Sequence, residues 1–334
     1  MAKFKFKKFV SSDVTFKEIP QGLRDIAEKV LMELVMCGYD KLSETKGDYY
    51  QKLNTLNVLA YGTKDENPRP IYESDGAPAH TFSINHVVNR YDLSTGDSPM
   101  VTLRNTAVKA AIKEIFWIYQ MQSNKISDLH DLGINYWDQW DVGDGTIGCR
   151  YGATIKRHKL IDKLLKGLVE DPFGRRHIMC MWQEDDFSDE TGGTTKGLNP
   201  CCYETIWNVR KVDRVMYLDM LLNQRSSDYT VSCAINEIQY VALMMMVAQH
   251  CGYELGNFTH VIENLQIYDR HVNQVLEMLD RSSVLGDIYE QPVLTLESDT
   301  KSLFDIKPDD FQMKNYPRKR INEINPQLKF DLGI

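Results

Sequence analysis

A chain of 334 residues with 43% hydrophobic and 26% charged side chains can bury a substantial core, which excludes a disordered segment. Its 47 acidic against 39 basic residues give a net charge of −8, which excludes broad electrostatic binding to nucleic acid or an anionic membrane and leaves room for one local basic pocket. The seven cysteines, at 37, 149, 180, 201, 202, 233 and 251, form no C-x-x-C pair and no cluster at zinc spacing, so reduced thiols, no metal and a cytoplasmic location are expected.

The basic start, Met1 to Lys8, lacks the apolar core of a signal peptide. No run approaches the ~18 uninterrupted apolar residues of a membrane span. Leu23, Ile26, Val30, Leu31, Leu34 and Val35 recur at helical spacing and predict a helix over 22–37. Residues 41–75 are polar, carry Gly47, Gly62, Pro68 and Pro70, and are expected to be loops. Short strands are expected over 81–91 and 100–103, and a strongly apolar helix over 106–121. Another helix runs through Ile161, Leu164, Leu165 and Leu168 and ends at Asp171-Pro172. Strands are predicted at 177–183, 203–210 and 215–224; in the second, Tyr203, Thr205, Trp207 and Val209 alternate with Glu204, Ile206, Asn208 and Arg210. Residues 234–250 are apolar almost all round, which marks a central helix stopped by Gly252. A helix over 269–280 and a strand-like tail complete the chain. No linker divides it. The pattern predicts a single α+β domain, with residues 1–70 as an N-terminal extension and 71–334 as the catalytic domain.

Four clusters carry chemistry. Asn199-Pro200-Cys201-Cys202-Tyr203 stands just before a strand, where a rigid proline can present a thiol to a cleft; two packed core cysteines fit as well. Gln224-Arg225-Ser226-Ser227-Asp228 follows a strand and suits a phosphate, through a guanidinium fork and hydroxyls, or a helix cap. The adjacent Arg175 and Arg176 repel each other unless an anion or solvent relieves them. Asn135-Tyr136-Trp137-Asp138-Gln139-Trp140, with Tyr151, can wall a flat heterocycle or simply fill a core.

Taken together and in order, these segments resemble the thymidylate synthase family from about Gly76 to the C-terminus. The strongest stretch is Pro200-Cys201, then Gln224 to Asp228, Asn236, Ile267-Tyr268 and His271, with Asp228 and Asn236 eight positions apart as in the family. Earlier matches are Lys113-Glu114-Ile115-Phe116-Trp117, Trp137-Asp138-Gln139-Trp140, Tyr151-Gly152 and Asp171-Pro172 with Arg175-Arg176. Asp75 to Thr81 and Cys202-Tyr203-Glu204-Thr205 look most like a divergent bacterial and phage branch.

The resemblance implies a large mixed β-sheet packed by helices, a homodimer joined sheet to sheet, and reductive methylation of dUMP by 5,10-methylenetetrahydrofolate. Cys201 would attack C6 of the uracil, with a pKa lowered by Arg225. Asn236 would read the O4 and N3–H edge. Tyr151 and Glu114 would assist loss of the C5 proton. Arg225 and Ser226 would bind the phosphate, with Arg175 and Arg176 reaching it from the second subunit. Tyr268 and Gln266 would hold the ribose. Asp228, Trp137, Trp140 and Arg104 would face the folate. The chain departs from the family pattern at Cys202 and at Gln266, where histidine is usual, and in the run from Thr230 to Ile235 before Asn236. The usual N-terminal arginine motif is absent, and Arg69 is the nearest substitute. A nucleotide hydroxymethylase and a non-catalytic nucleotide-binding protein of the same fold are the alternatives.

Overall fold

The computed structural model describes residues 5–187, 197–285 and 290–333. The first four residues of the basic start lie outside that range.

Helix α1 (Gln21–Cys37) buries Leu23, Ala27, Leu31 and Leu34, one stripe at helical spacing, and ends at Gly38 with φ 71°. Helix α2 (Lys46–Tyr61) occupies the segment expected to be loop. Its first half conceals polar residues, so apolar periodicity does not announce it: Asp48, Gln51, Asn54 and Thr55 are all buried, and the buried Leu56, Val58 and Leu59 come only in its last turns. Thr45 caps it by accepting from the Asp48 amide at 2.9 Å. The Asp48 carboxylate then accepts the amides of Thr102 (2.7 Å) and Leu103 (3.2 Å). This explains a second difference. Residues 100–103 are not a strand, because a carboxylate takes the donors a neighbouring strand would have taken.

Strands β1 (Thr63–Lys64) and β2 (Thr81–Asp92) follow. Helix α3 (Val108–Ile115) runs into a π turn over Phe116–Gln120, so the expected helix exists but changes winding half-way. Then come α4 (Ile126–Asp131), α5 (Gly152–His158) and α6 (Leu160–Glu170). The first of the three predicted strands shortens to β3 (Ile178–Cys180); β4 (Cys202–Val212) and β5 (Val215–Gln224) match closely. After β6 (Ser227–Asp228), a π turn leads into α7 (Ala234–Cys251), which ends at the left-handed Gly252. Strand β7 (Glu254–Tyr268), α8 (Val272–Leu279), the hairpin β8 (Val293–Leu296) and β9 (Phe311–Lys314), and α9 (Arg318–Ile324) complete the fold. The tail is thus a hairpin followed by a helix.

The main sheet runs β1-β2-β7-β5-β4-β3, with β6 added beside β7. Its pairs are antiparallel except β5–β7 and β6–β7, so the sheet is mixed. One large core gathers α3, α7 and the sheet around Trp117, Trp207 and Met244. A second joins Leu23 of α1 and Leu56 of α2 to Phe82, Ile262 and Val272. The stretch from Phe6 to Ala60 therefore shares a core with the sheet. The segment Tyr229–Cys251 is long and apolar enough to cross a membrane, yet 72% of it is buried inside the fold, as befits a core helix.

Trp207 is fully buried, and its indole N–H donates to Thr205 Oγ1 at 2.8 Å. Trp207→Ala leaves a large cavity and is expected to cost about 3–5 kcal/mol. Denaturant titration read by circular dichroism checks this; a loss below ~1 kcal/mol would contradict its place at the centre of the core.

Candidate active site

The β4–β5 hairpin assembles the site. Cys201 stands one residue before β4 and Arg225 one residue after β5, so antiparallel pairing brings residues 24 apart in sequence side by side. The Arg225 amide donates to Cys201 O at 2.9 Å. Its guanidinium donates to Pro200 O and Asn199 O, both at 2.9 Å, and Nη2 lies 3.6 Å from Cys201 Sγ. The fork thus holds the thiol loop and places positive charge beside the sulfur. The Arg225 guanidinium also lies over the Trp182 ring, 5.6 Å from its centroid.

Cys201 is a free, partly exposed thiol, whereas Cys202 is buried. Burial pushes the Cys201 thiol above its ordinary value of 9.0, while Arg225 and then Arg69 pull it down. The expected net lowering is therefore not met: removal from water outweighs the two guanidinium groups. The alkylation rate of Cys201 should keep climbing as pH rises past 9, and Arg225→Ala should slow it at any fixed pH. Iodoacetamide labelling followed by peptide mass measures both; a plateau below pH 8 would contradict the balance described.

Across from the thiol, the Tyr151 hydroxyl accepts from the Cys201 amide at 3.2 Å. Tyr151 has φ 49°, rare for a tyrosine, and caps α5. Its neighbour Gly152 is obligatory, since a Cβ there would meet Ser123 O at 2.2 Å. The Tyr151 ring packs edge-on against Trp137 at 5.2 Å, and Trp137 meets Trp140 at 5.2 Å. Glu114 is buried and accepts from the Tyr136 hydroxyl. Burial raises its pKa, and Tyr136, Trp137 and Gln239 oppose that. Trp137 Nε1 and Gln239 Nε2 nonetheless reach no partner at hydrogen-bond geometry, so both are available to a ligand or to Glu114.

Asn236 opens the second turn of the π-to-α segment, half-buried, with both halves of its amide engaged. Oδ1 accepts from Gln224 Nε2 at 3.1 Å, and Nδ2 donates to Gln239 Oε1 at 3.0 Å. Behind Gln224 lies a buried polar chain. Gln224 Oε1 faces His260 Nε2 at 2.8 Å, and His260 Nδ1 faces Glu237 Oε1 at 3.2 Å. Glu237 also accepts from Asn89 and Tyr91, both at 2.8 Å.

Pairing of β6 with β7 sets Asp228 beside Gln266, near His271, whose Nδ1 is 3.9 Å from Asp228 Oδ1. Both atoms lack hydrogen-bond partners. Burial raises the Asp228 pKa, with His271 the leading opposing charge. Tyr268 lies at the end of β7, close enough to Asp228, Arg69 and Cys201 to feel their charges. Ser226 follows Arg225 and is partly buried.

Three further arginines were expected to contribute. Arg104 is buried, with Nη2 donating to Thr230 O (2.7 Å) and Val231 O (2.9 Å), so it braces the π turn after Asp228. Arg175 and Arg176 are exposed on the loop between α6 and β3, and the charges acting on Cys201 within its own chain are those of Arg225 and Arg69.

Among the described residues, Cys233, Glu237 and His260 form a trio of metal-ligating types within 4.8 Å. The carboxylate and both ring nitrogens already serve protein hydrogen bonds.

A thiol gripped by an arginine fork, with a tyrosine hydroxyl on its amide and a tryptophan against that tyrosine, is an arrangement suited to nucleophilic attack on a polar heterocycle. The thymidylate synthase family model matches residues 48–328. The chain belongs to the thymidylate synthase family. It is 43% identical over 293 residues to thymidylate synthase of Streptococcus pyogenes serotype M3 (strain ATCC BAA-595 / MGAS315), covering 87% of this chain and 100% of that protein. It is 44% identical over 292 residues to the enzyme of Streptococcus gordonii, with the same coverage. The solved thermostable thymidylate synthase A from Bacillus subtilis superposes with a TM-score of 0.75 at 32% identity, covering 87% of this chain and 100% of that one.

Sequence reasoning within this family missed Gln239, His260 and Glu237. Gln239 was within reach: it stands three positions after Asn236 on α7, hence on the same helix face. His260 and Glu237 carry no local signal, because only the packing of helix α7 against strand β7 brings them together.

Proposed function

We propose that the chain makes dTMP from dUMP with 5,10-methylenetetrahydrofolate as one-carbon and hydride donor, and that Cys201 is its nucleophile. The observation that supports the residue assignment is the apposition of Cys201 Sγ and the Arg225 guanidinium, with Asn236 braced through Gln224, the residue next to Arg225.

Cys201 thiolate adds to C6 of uracil, and the displaced electron pair moves to O4, where the Asn236 amide stabilises it. Arg225 and Ser226 bind the phosphate, with Arg69 a further cation. C5 then attacks the folate methylene carbon. Tyr151, with the Glu114 carboxyl and water, accepts the C5 proton. Loss of the folate nitrogen leaves an exocyclic methylene, which takes hydride from the tetrahydrofolate. The thiolate departs, releasing dTMP and dihydrofolate. Asp228 holds the pterin beside Trp137 and Trp140, and Tyr268 and Gln266 bind the ribose. The active form is a cytoplasmic homodimer, in which Arg175 and Arg176 of one subunit reach the nucleotide phosphate of the other.

Water in place of hydride would make a hydroxymethylase, a reading the named relatives do not favour. Incubation with dUMP and methylenetetrahydrofolate should yield dTMP and dihydrofolate in equal amounts. Hydroxymethyl product without dihydrofolate would overturn the reading.

A further inference from the structure

Asn236 can read uracil only if its amide points one way. Uracil offers an acceptor at O4 and a donor at N3–H; cytosine offers the reverse at N4 and N3. A flipped asparagine suits the wrong base as well as a correct one suits the right base. Something must therefore fix the polarity of this side chain.

Ser226 O is a backbone carbonyl and can only accept. It receives Gln224 Nε2 at 3.0 Å, which fixes which end of the Gln224 amide is nitrogen. The same Nε2 then donates to Asn236 Oδ1, and Gln224 Oε1 is left facing His260. His260 must meet that carbonyl with a proton on Nε2. On its other side, His260 Nδ1 meets Glu237 Oε1, which also accepts from Asn89, while Glu237 Oε2 accepts from Tyr91. One proton shared between Glu237 and His260 satisfies both ends of this contact while leaving Nε2 protonated. His260, Gln224 and Glu237 are 0%, 1% and 3% exposed, so these bonds are shut off from bulk water.

Resting on the dUMP reading above, we propose that His260, held by Glu237, is a positioning residue for pyrimidine selection: its Nε2–H, with Ser226 O at the other end of the amide, holds the polarity of Gln224, and Gln224 fixes that of Asn236. The result is an Asn236 Oδ1 with one lone pair left for N3–H and an Nδ2 with one proton left for O4.

His260→Leu removes the donor and leaves Gln224 Oε1 buried without a partner, whereas His260→Gln can restore a donor. The measurements are kcat and KM for dUMP, and the dissociation constants of dUMP and dCMP, on each full-length protein with thermal melts alongside. His260→Leu should lower kcat/KM for dUMP roughly tenfold or more and narrow the dUMP-to-dCMP preference by a similar factor, and His260→Gln should recover most of both. A merely structural role would lower the melting temperature and leave the preference between the bases unchanged; that result overturns the proposal. Nitrogen-15 NMR of histidine side chains in the wild-type protein gives a second reading that does not depend on any variant folding. A protonated Nε2 on His260 is expected, and an unprotonated one overturns the proposal. A wild-type protein that makes no dTMP from dUMP would sink the function assigned to Cys201, a failure distinct from either of these.

Discussion

Cys201→Ser abolishes most dTMP formation, with an expected fall in kcat on the order of 10³ or more. The reason is the nucleophile. A thiol ionises far more readily than an alcohol and remains strongly nucleophilic, whereas a serine hydroxyl at the same place has no partner basic enough to ionise it. Among the described residues, the groups pulling Cys201 toward its anion are the two guanidinium groups, neither of which accepts a proton. Cys202→Ser should retain most of the wild-type rate, since Cys202 is buried in the core on the other side of the strand. Trapping with 5-fluoro-dUMP and the folate, then mass spectrometry of the digest, should place the adduct on the peptide bearing Cys201. Activity lost with Cys202→Ser and kept with Cys201→Ser would reverse the assignment.

Arg225→Ala has the second-largest expected effect. The side chain makes two charge-assisted bonds to Asn199 O and Pro200 O, so its removal strips two carbonyls of their donors on the loop that carries the nucleophile. At about 1.5–3 kcal/mol for each bond to a charged group, the loss is about 3–6 kcal/mol, or roughly 10²–10⁴ in kcat/KM. Arg225→Lys should rescue little, because one ammonium cannot span both carbonyls as a planar fork does. Steady-state kinetics on the two variants test this. A fall in kcat/KM of less than about tenfold in Arg225→Ala would mean that the loop holds its shape without the fork.

The parts of this fold that were legible in the sequence are those built on period. Strands β4 and β5 alternate, α7 is apolar all round, and both stand where the pattern puts them. The site clusters were legible because hairpin pairing keeps the thiol and arginine segments in register. What was hidden is polar burial. Helix α2 conceals Asp48, Gln51 and Asn54, and an amphipathic pattern is silent about a face whose partners are backbone amides and other side chains. The bracing role of Arg104 was hidden for a related reason: the resemblance points to the folate, and nothing in the sequence announces the two carbonyls that its guanidinium holds. The thiol pKa was misjudged because adjacency of charge is visible in sequence and depth is not.

Asp48 has one more consequence, for anyone engineering the protein toward heat resistance. Hydropathy would nominate this buried acid for replacement by leucine, in the hope of a greasier interior. The carboxylate is the peg on which the 102–103 backbone hangs, and the Thr102 hydroxyl as well. A leucine there would leave those donors stranded in a dry interior, so the substitution most attractive on paper would loosen the scaffold beneath the catalytic sheet.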